Sequence, residues 1–356
     1  MLIDRMPHFI LFVFSVLLSV TASAKVAPHN LHASILQYHH VSRHTPAVTS
    51  VSPEQFSEHM QYIAEHHTVL PLPELVKRLK KGEVLPENAV AITFDDGFQN
   101  ILENAHPILT RHGFNYTVFI NPALIGKEPQ QLTWDEVRQM QREGVWFANH
   151  TDDHAHLLDR KGMSEAQWLA ALKNALEQAE ETLQQQLGYS LKYLAYPYGE
   201  YNSAIQALLR EMGYIGFAQQ SGAAAPYSDF TALPRYPSAG IYANLNTLKV
   251  KLSSLAMPVL SEPINPELHY HHRTPRWTTR IDLTDIRPAQ LSCYFKGQPL
   301  APEWVTADSF ELHITTPLKP GRSRVNCTAP SKRSPGRYYW HSQPFFVATQ
   351  DGKWLD

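Results

Sequence analysis

Asp95 and Asp96 stand side by side in Thr93-Phe94-Asp95-Asp96-Gly97, directly after the apolar run Ala-Val-Ala-Ile. Adjacent side chains on a regular strand point to opposite faces. Both carboxylates therefore reach one site only if the strand ends there, and Gly97 permits that ending. Two neighbouring carboxylates repel, so they need a cation or different protonation states. A second cluster, His150-Thr151-Asp152-Asp153-His154, closes the run 145–149. Imidazoles four apart meet on one helical turn, and neutral imidazole suits zinc, nickel, cobalt or iron. Asp96 with His150 and His154 would leave coordination positions open, as hydrolytic metal chemistry requires. Tyr196-Pro197-Tyr198-Gly199 and Tyr38-His39-His40-Val41 close two further apolar runs. Each stretch has an ordinary reading when taken alone, as a turn or as surface His in a chain with 19 of them. Their joint position at strand ends selects the chemical reading.

The elements that must carry these residues alternate along the chain. Strands are expected at 34–38, 89–94, 116–120, 145–149, 193–196 and 215–218, each a short apolar run. Helices with explicit start signals lie between them. Ser52-Pro53-Glu54-Gln55, Thr133 with Glu136, and Ser164 with Gln167 are capping boxes, and Gly144 and Gly188 close two of these helices. Alternation of this kind predicts a parallel α/β layout, open sheet or barrel. Past residue 260 the helical periodicity stops and Pro263, Pro266, Pro275 and Pro288 punctuate the chain. Short β-like runs at 277–283, 290–295, 310–315, 323–328, 338–341 and 345–348 predict a small all-β, sandwich-like domain. The boundary is expected near Glu262 to Glu267.

The chain has 356 residues, with 31 Lys+Arg against 33 Asp+Glu and a net charge of −2. There is no cationic surplus, which argues against nucleic acid as a partner. An apolar content of 43% with 18% charged residues excludes a wholly disordered chain. At the N-terminus, Arg5 precedes an apolar run at 9–20, and Ala22-Ser23-Ala24 follows. The run is shorter than the roughly 20 residues a membrane span needs, so residues 1–24 read as a secretory signal peptide, with an uncleaved membrane anchor as the alternative. Export to a periplasmic or secreted location brings an oxidising environment. There the two cysteines, Cys293 and Cys327, read as one disulfide, with two buried thiols as the alternative. Two cysteines are too few for a thiolate zinc site, so any metal must use His and carboxylate.

The ordered series Thr-Phe-Asp-Asp-Gly, His-Thr-Asp-Asp-His and Tyr-Pro-Tyr-Gly resembles the NodB-type polysaccharide deacetylases, carbohydrate esterase family four, over residues 33–260. Tyr38-His39 with Val41, and the stretch from Ala195 to Asn202, are similar to the exported poly-β-1,6-N-acetylglucosamine deacetylases within that family. The resemblance implies a distorted (β/α) barrel with fewer than eight strands and a metal-dependent N-deacetylase. The chain then divides into a leader 1–24, a deacetylase domain 25–262 and a β domain 263–356. The implied substrate is a polysaccharide with N-acetylglucosamine units: poly-N-acetylglucosamine, a chitin-like polymer or peptidoglycan. The implied cofactor is one divalent ion, zinc first and nickel, cobalt or iron as alternatives, held by Asp96, His150 and His154. Asp95 matches the general base, the backbone N–H of Tyr198 the oxyanion donor, and His39 the general acid of the exported subgroup.

Two positions depart from the family. Its third motif commonly begins with an Arg that orients the base, where Ala195 stands here, and its late Leu-x-His motif is not evident after residue 230. Arg235 in Leu233-Pro234-Arg235 is the candidate replacement for the Arg, with a structural ion pair as the alternative reading. His39 is the candidate replacement for the His. Other functions stay open: an O-acetyl esterase, a glycan-binding protein of the same fold, or a scaffold in a cell-envelope polysaccharide export or remodelling system. Tyr196, Tyr198, Tyr201, Tyr236 and Tyr242 are candidates for sugar stacking or for core packing.

Overall fold

The computed structural model describes residues 30–355, and the expected leader lies outside the described residues. The runs Ser34–Tyr38, Ala89–Phe94 and Thr117–Ile120 are buried along their whole length, the pattern of strands covered on both faces. They belong to one sheet with the order Tyr236–Pro237, Ser34–Tyr38, Ala89–Phe94, Thr117–Ile120, Trp146–Asn149, Tyr193–Ala195, Ile215–Phe217. Every neighbouring pair is parallel. The short strand Thr68–Val69 branches off beside Ala89–Phe94, so the expectation of fewer than eight strands holds for the main path only. The segment before Tyr236 bridges Leu233 to Phe217, then pairs Tyr236 with Leu36. One stretch of chain thus joins both edges of the sheet. The result is the distorted barrel expected above, and Arg235 lies on the stretch that joins the edges.

Side chains alternate strictly across this sheet. Leu36, Tyr38, Val90, Ile92 and Phe94 pack outward with Phe56, Met60 and Val137 of the surrounding helices. Ile35, Ala89, Ala91, Phe119, Ala148, Ala195 and Phe217 fill the interior with Leu233. The three capping boxes all form, at the starts of Pro53–His66, Trp134–Arg142 and Glu165–Leu187. Among the described residues no helix is long and apolar enough to cross a membrane.

The C-terminal part builds two further sheets. One has the order Leu255–Ala256, Tyr338–Val347, Gly321–Pro330, Ser292–Phe295, Gln298–Leu300, with Glu267–Leu268 also on Tyr338–Val347; the other is Arg276–Arg280, Ser309–His313, Glu303–Trp304. They enclose Trp277, Phe310, Leu312, Val325, Cys327 and Phe345. Cys293 and Cys327 sit directly opposite on neighbouring strands and are bonded. The runs expected at 338–341 and 345–348 are one strand, because Ser342 and Gln343 continue the ladder against Asn326 and Val325. The chain enters this sheet with Leu255–Ala256, which pairs with Tyr339 and Trp340.

Helix Leu245–Leu252 ends where barrel and sheet meet, and Lys251 is buried there. Its Nζ donates to the Pro237 carbonyl at 2.6 Å and lies 4.5 Å from the centroid of the Tyr242 ring. Burial, with the repulsion of Arg324, brings its pKa down from 10.5 to about 7. An unfolded lysine keeps its proton to about pH 10.4. Between the two values the unfolded chain holds the extra proton, so stability rises with pH by at most about 1.4 kcal/mol per unit. Below the folded value the whole penalty is present. Lys251→Met should remove this slope, gaining on the wild type at pH 6 and losing the gain towards pH 10. Urea unfolding at several pH values measures it, and parallel curves for both proteins would contradict the assignment.

Candidate active site and metal centre

The interior row of one strand runs Ala89, Ala91, Thr93 and on to Asp95 just past its end. Asp95 and Arg235 are both completely buried. Arg235 Nη1 donates to Asp95 Oδ1 and Nη2 to Oδ2, each at 2.7 Å. Gln37 Nε2 donates to Oδ2 at 2.7 Å. Two more N–H donors of the guanidinium are engaged, Nε by the Ala218 carbonyl at 3.0 Å and Nη1 by Thr93 Oγ1 at 3.2 Å. Burial pushes the Asp95 pKa up, but the charge of Arg235, then that of His150, the Arg235 hydrogen bonds and the charge of His39 together outweigh it and the net shift is downward. Asp95 is therefore a carboxylate held at two points by a planar fork. The ion pair named above as one reading of Arg235 is present in this geometry.

The strand stops at Phe94 and the chain turns through Asp96 (φ 72°) and Gly97 (φ 75°). A Cβ on residue 97 would lie 2.8 Å from Ile120 Cγ2, so space and conformation both require glycine. The turn brings Asp96 Oδ1 to 3.1 Å from His150 Nε2 and 3.2 Å from His154 Nε2. The two imidazoles do not meet on a helical turn, contrary to the spacing argument. Residues 150–154 are irregular, and left-handed conformations at Thr151 and His154 fold the second ring over the first, 4.9 Å between centroids. Asn121 Nδ2 pins this loop through the carbonyls of His150 and Thr151 at 2.5 and 3.1 Å. Asn149 Oδ1 accepts from the Thr151 N–H at 2.7 Å.

His150 Nδ1 faces the Ala195 carbonyl at 2.7 Å. A carbonyl only accepts, so Nδ1 carries a proton and Nε2 is turned towards Asp96; ligating histidines are commonly oriented this way. Asp96 Oδ1 and His150 Nε2 are both buried, and neither makes a directed hydrogen bond. Burial opposes a charge on His150, yet Asp96 and Asp95 raise its pKa past that penalty. The pocket calls for positive charge at this point. The three donor atoms lie within 4.8 Å of one another, and one carboxylate oxygen with two imidazole nitrogens fits a divalent first-row cation.

The strand Tyr193–Ala195 leads into Tyr196-Pro197-Tyr198-Gly199. Tyr198 has φ 56°, a conformation that costs a non-glycine residue roughly 1–2 kcal/mol. Its ring stacks on His156 at 4.0 Å and meets His154 edge-on at 4.6 Å. His156 Nδ1 in turn pairs with Glu200 Oε2 at 2.9 Å. His39 follows the strand Ser34–Tyr38, with Nε2 3.9 Å from Asp95 Oδ2 and a side chain 18% exposed. Burial lowers its pKa more than Asp96 and Asp95 raise it, so the resting imidazole is neutral. Asp95, Asp96, His39, His150, His154, Tyr198 and Arg235 thus gather at one end of the barrel. Of the five tyrosines, Tyr196, Tyr201 and Tyr236 are core residues, while Tyr198 and Tyr242 stay partly exposed. Gln37, Asn121 and Asn149 carry no motif in the sequence, and neither does Arg322, whose Nη1 donates to the Tyr198 carbonyl. Gln37 alone carried a signal, a polar residue in phase with Ile35 inside an apolar run.

Residues 82–217 match the family described as Polysaccharide deacetylase. The chain is 31% identical over 195 residues to the poly-beta-1,6-N-acetyl-D-glucosamine N-deacetylase of Staphylococcus aureus, which spans 52% of this chain and 67% of that protein. The chain belongs to the polysaccharide deacetylase family. Its enzyme class, a polysaccharide N-deacetylase hydrolysing a linear amide, is the expected one. The fold is similar to that of the Streptococcus pyogenes deacetylase PplD, solved in complex with acetate, with TM-score 0.56, 22% identity, and coverage of 63% of this chain and 99% of that one. It is also similar to IcaB from Ammonifex degensii, with TM-score 0.55, 19% identity, and coverage of 62% of this chain and 97% of that one. Both neighbours are covered almost entirely, so the unmatched part of this polysaccharide deacetylase is an addition to their fold.

Proposed function

We propose that the protein removes N-acetyl groups from a polymer of N-acetylglucosamine, releasing acetate, with a divalent ion at Asp96, His150 and His154. Zinc is the first choice, and nickel, cobalt or iron fit the same donors. The observation that carries the reading is the arginine-clamped carboxylate of Asp95 beside this ligand set, in a chain of this family. When bound, the cation supplies Lewis-acid polarisation of the acetamide oxygen and acidifies a water. Asp95, fixed by Arg235 and Gln37, takes the proton of the attacking water. The backbone N–H of Tyr198 meets the tetrahedral oxyanion. The C–N bond breaks as the sugar nitrogen gains a proton from His39. His39 Nε2 stands 3.9 Å from Asp95 Oδ2, too far for a direct hydrogen bond, so the proton taken up by Asp95 reaches His39 through a bridging water. Amides are poor electrophiles and amines poor leaving groups, so both ends need this help.

The same reading takes residues 1–24 as an export leader, 25–262 as the catalytic domain and 263–356 as an appended β domain. It places the polymer in the cell envelope, with an export or remodelling system as the source of substrate. Acetate release by the purified protein tests it. Substrates are β-1,6- and β-1,4-linked N-acetylglucosamine oligomers, peptidoglycan and O-acetylated xylan, before and after chelation and with zinc, nickel, cobalt or iron restored. Release from an N-acetylated substrate, lost on chelation and regained with metal, is the expected outcome. Release from the xylan alone would replace the amidase reading with an esterase.

A further inference from the structure

We propose that Arg322, on the C-terminal strand Gly321–Pro330, is a positioning residue for the deacetylase site and acts through Tyr198. The inference rests on the deacetylase reading above. Arg322 Nη1 donates to the Tyr198 carbonyl at 2.7 Å and reaches Gln219 Oε1 at 3.4 Å. Its guanidinium carbon stands 5.9 Å from the centroid of the Tyr198 ring. Tyr198 is the left-handed non-glycine residue of the loop, and its ring makes a T-shaped contact with His154, a candidate metal ligand, at 4.6 Å between centroids. A strained conformation persists only where its surroundings over-determine it. Here the ring is stacked on His156 at one side, and the carbonyl is tied by Arg322 at the other. Gln219 completes the clamp: a Cβ on Gly199 would lie 2.7 Å from Gln219 Cβ, so the side chain that Arg322 touches also lies flat against the loop.

Arg322 is not what attaches the sheets to the barrel. Phe346 packs on Tyr201 at 5.7 Å and Trp340 on Tyr236 at 5.7 Å between ring centroids. Asn202 Nδ2 donates to Glu267 Oε2 at 2.7 Å, and Tyr227 Oη to the Ala256 carbonyl at 2.7 Å. These contacts stay when the exposed Arg322 side chain is removed. Loss of its charge-assisted bond to a carbonyl is felt at the loop itself. Arg324, on the same strand face two residues on, donates to Tyr242 Oη at 2.9 Å. The added sheet thus reaches two loops of the barrel, and one of them carries the site.

Arg322→Ala and Arg322→Lys in the full chain test this. Arg322→Ala should lower kcat for acetate release about tenfold with KM changed less than about threefold, since the loop serves the transition state more than substrate binding. Hydrogen exchange at the Gly199 and Glu200 amides, bonded to the carbonyls of Tyr196 and Pro197 at 2.8 and 3.1 Å, should quicken about tenfold without a fall in global unfolding stability. Arg322→Lys, which keeps a cationic donor, should recover most of both. Unchanged exchange at these two amides in Arg322→Ala overturns the proposal, as does an unchanged kcat. If the wild type released no acetate from any N-acetylated oligomer, the deacetylase reading would fall, and the exchange comparison would still decide the role of Arg322.

Discussion

Asp95→Asn should lower kcat/KM for acetate release about 10³–10⁴-fold, towards the top of the range for one general base. The carboxamide keeps the shape of the side chain but takes no proton at neutral pH. It also turns an NH₂ towards a donor whichever way it sits, because Arg235 binds both carboxylate oxygens and Gln37 adds to one of them. Arg235 then lies buried without its counter-charge, and breaking such a pair costs about 3–5 kcal/mol. Turnover must therefore be measured where the variant is shown to be folded. Metal content gives the second control. Asp96, His150 and His154 are untouched, so the variant should bind the same amount of zinc as the wild type. A folded, metal-loaded Asp95→Asn protein with near-normal turnover would assign the base to another group.

The sequence was most informative where local chemistry and fold agree. Thr93-Phe94-Asp95-Asp96-Gly97 places a strand end, a turn and two carboxylates in five letters, and the structure turns there through left-handed Asp96 and Gly97. The capping boxes at Ser52, Thr133 and Ser164 are local hydrogen bonds within four residues and needed no tertiary context. Less legible was whatever depends on long-range closure. The spacing of His150 and His154 suggested a helix, but Asn121, from a neighbouring strand end, holds the loop carbonyls and leaves no helical ladder. The long strand Tyr338–Val347 read as two runs because Ser342 and Gln343 interrupt the apolar pattern, although Asn326 and Val325 pair with them across the sheet. Arg322 touches Tyr198 across 124 residues of sequence. No periodicity or motif connects those positions; only the packing of the C-terminal sheet on the barrel does. Arg235 lies between these cases. Its part as an orienting group was suggested by a missing Arg at Ala195, and its contact with Asp95 depends on a stretch of chain that joins both edges of the sheet.

Arg235→Met should destabilise the protein by about 3–5 kcal/mol and lower turnover by about 10²-fold or more. The mutation keeps the volume of the side chain but leaves the Asp95 carboxylate buried with Gln37 as its remaining strong donor. The Ala218 carbonyl also loses the Nε–H it accepts from. Burial alone raises a carboxyl pKa, and Arg235 is the largest opposing influence on Asp95. Without it, protonation of Asp95 removes the base, and the acid limb of the kcat/KM profile moves to higher pH. A double-mutant cycle separates the pair from its parts. Asp95→Asn with Arg235→Met removes both charges together, so the double variant should be destabilised by clearly less than the sum of the single ones. Arg235→Lys separates charge from geometry. A single ammonium restores a cation but cannot bridge both carboxylate oxygens while holding the Ala218 carbonyl. It should recover stability more fully than turnover, because a misplaced base is costly even when charged. Wild-type turnover in Arg235→Lys would mean that the cation alone matters and the two-point clamp does not. Strict additivity in the cycle would mean that the 2.7 Å contacts carry no coupling, and the orienting role assigned to Arg235 would have to be given up.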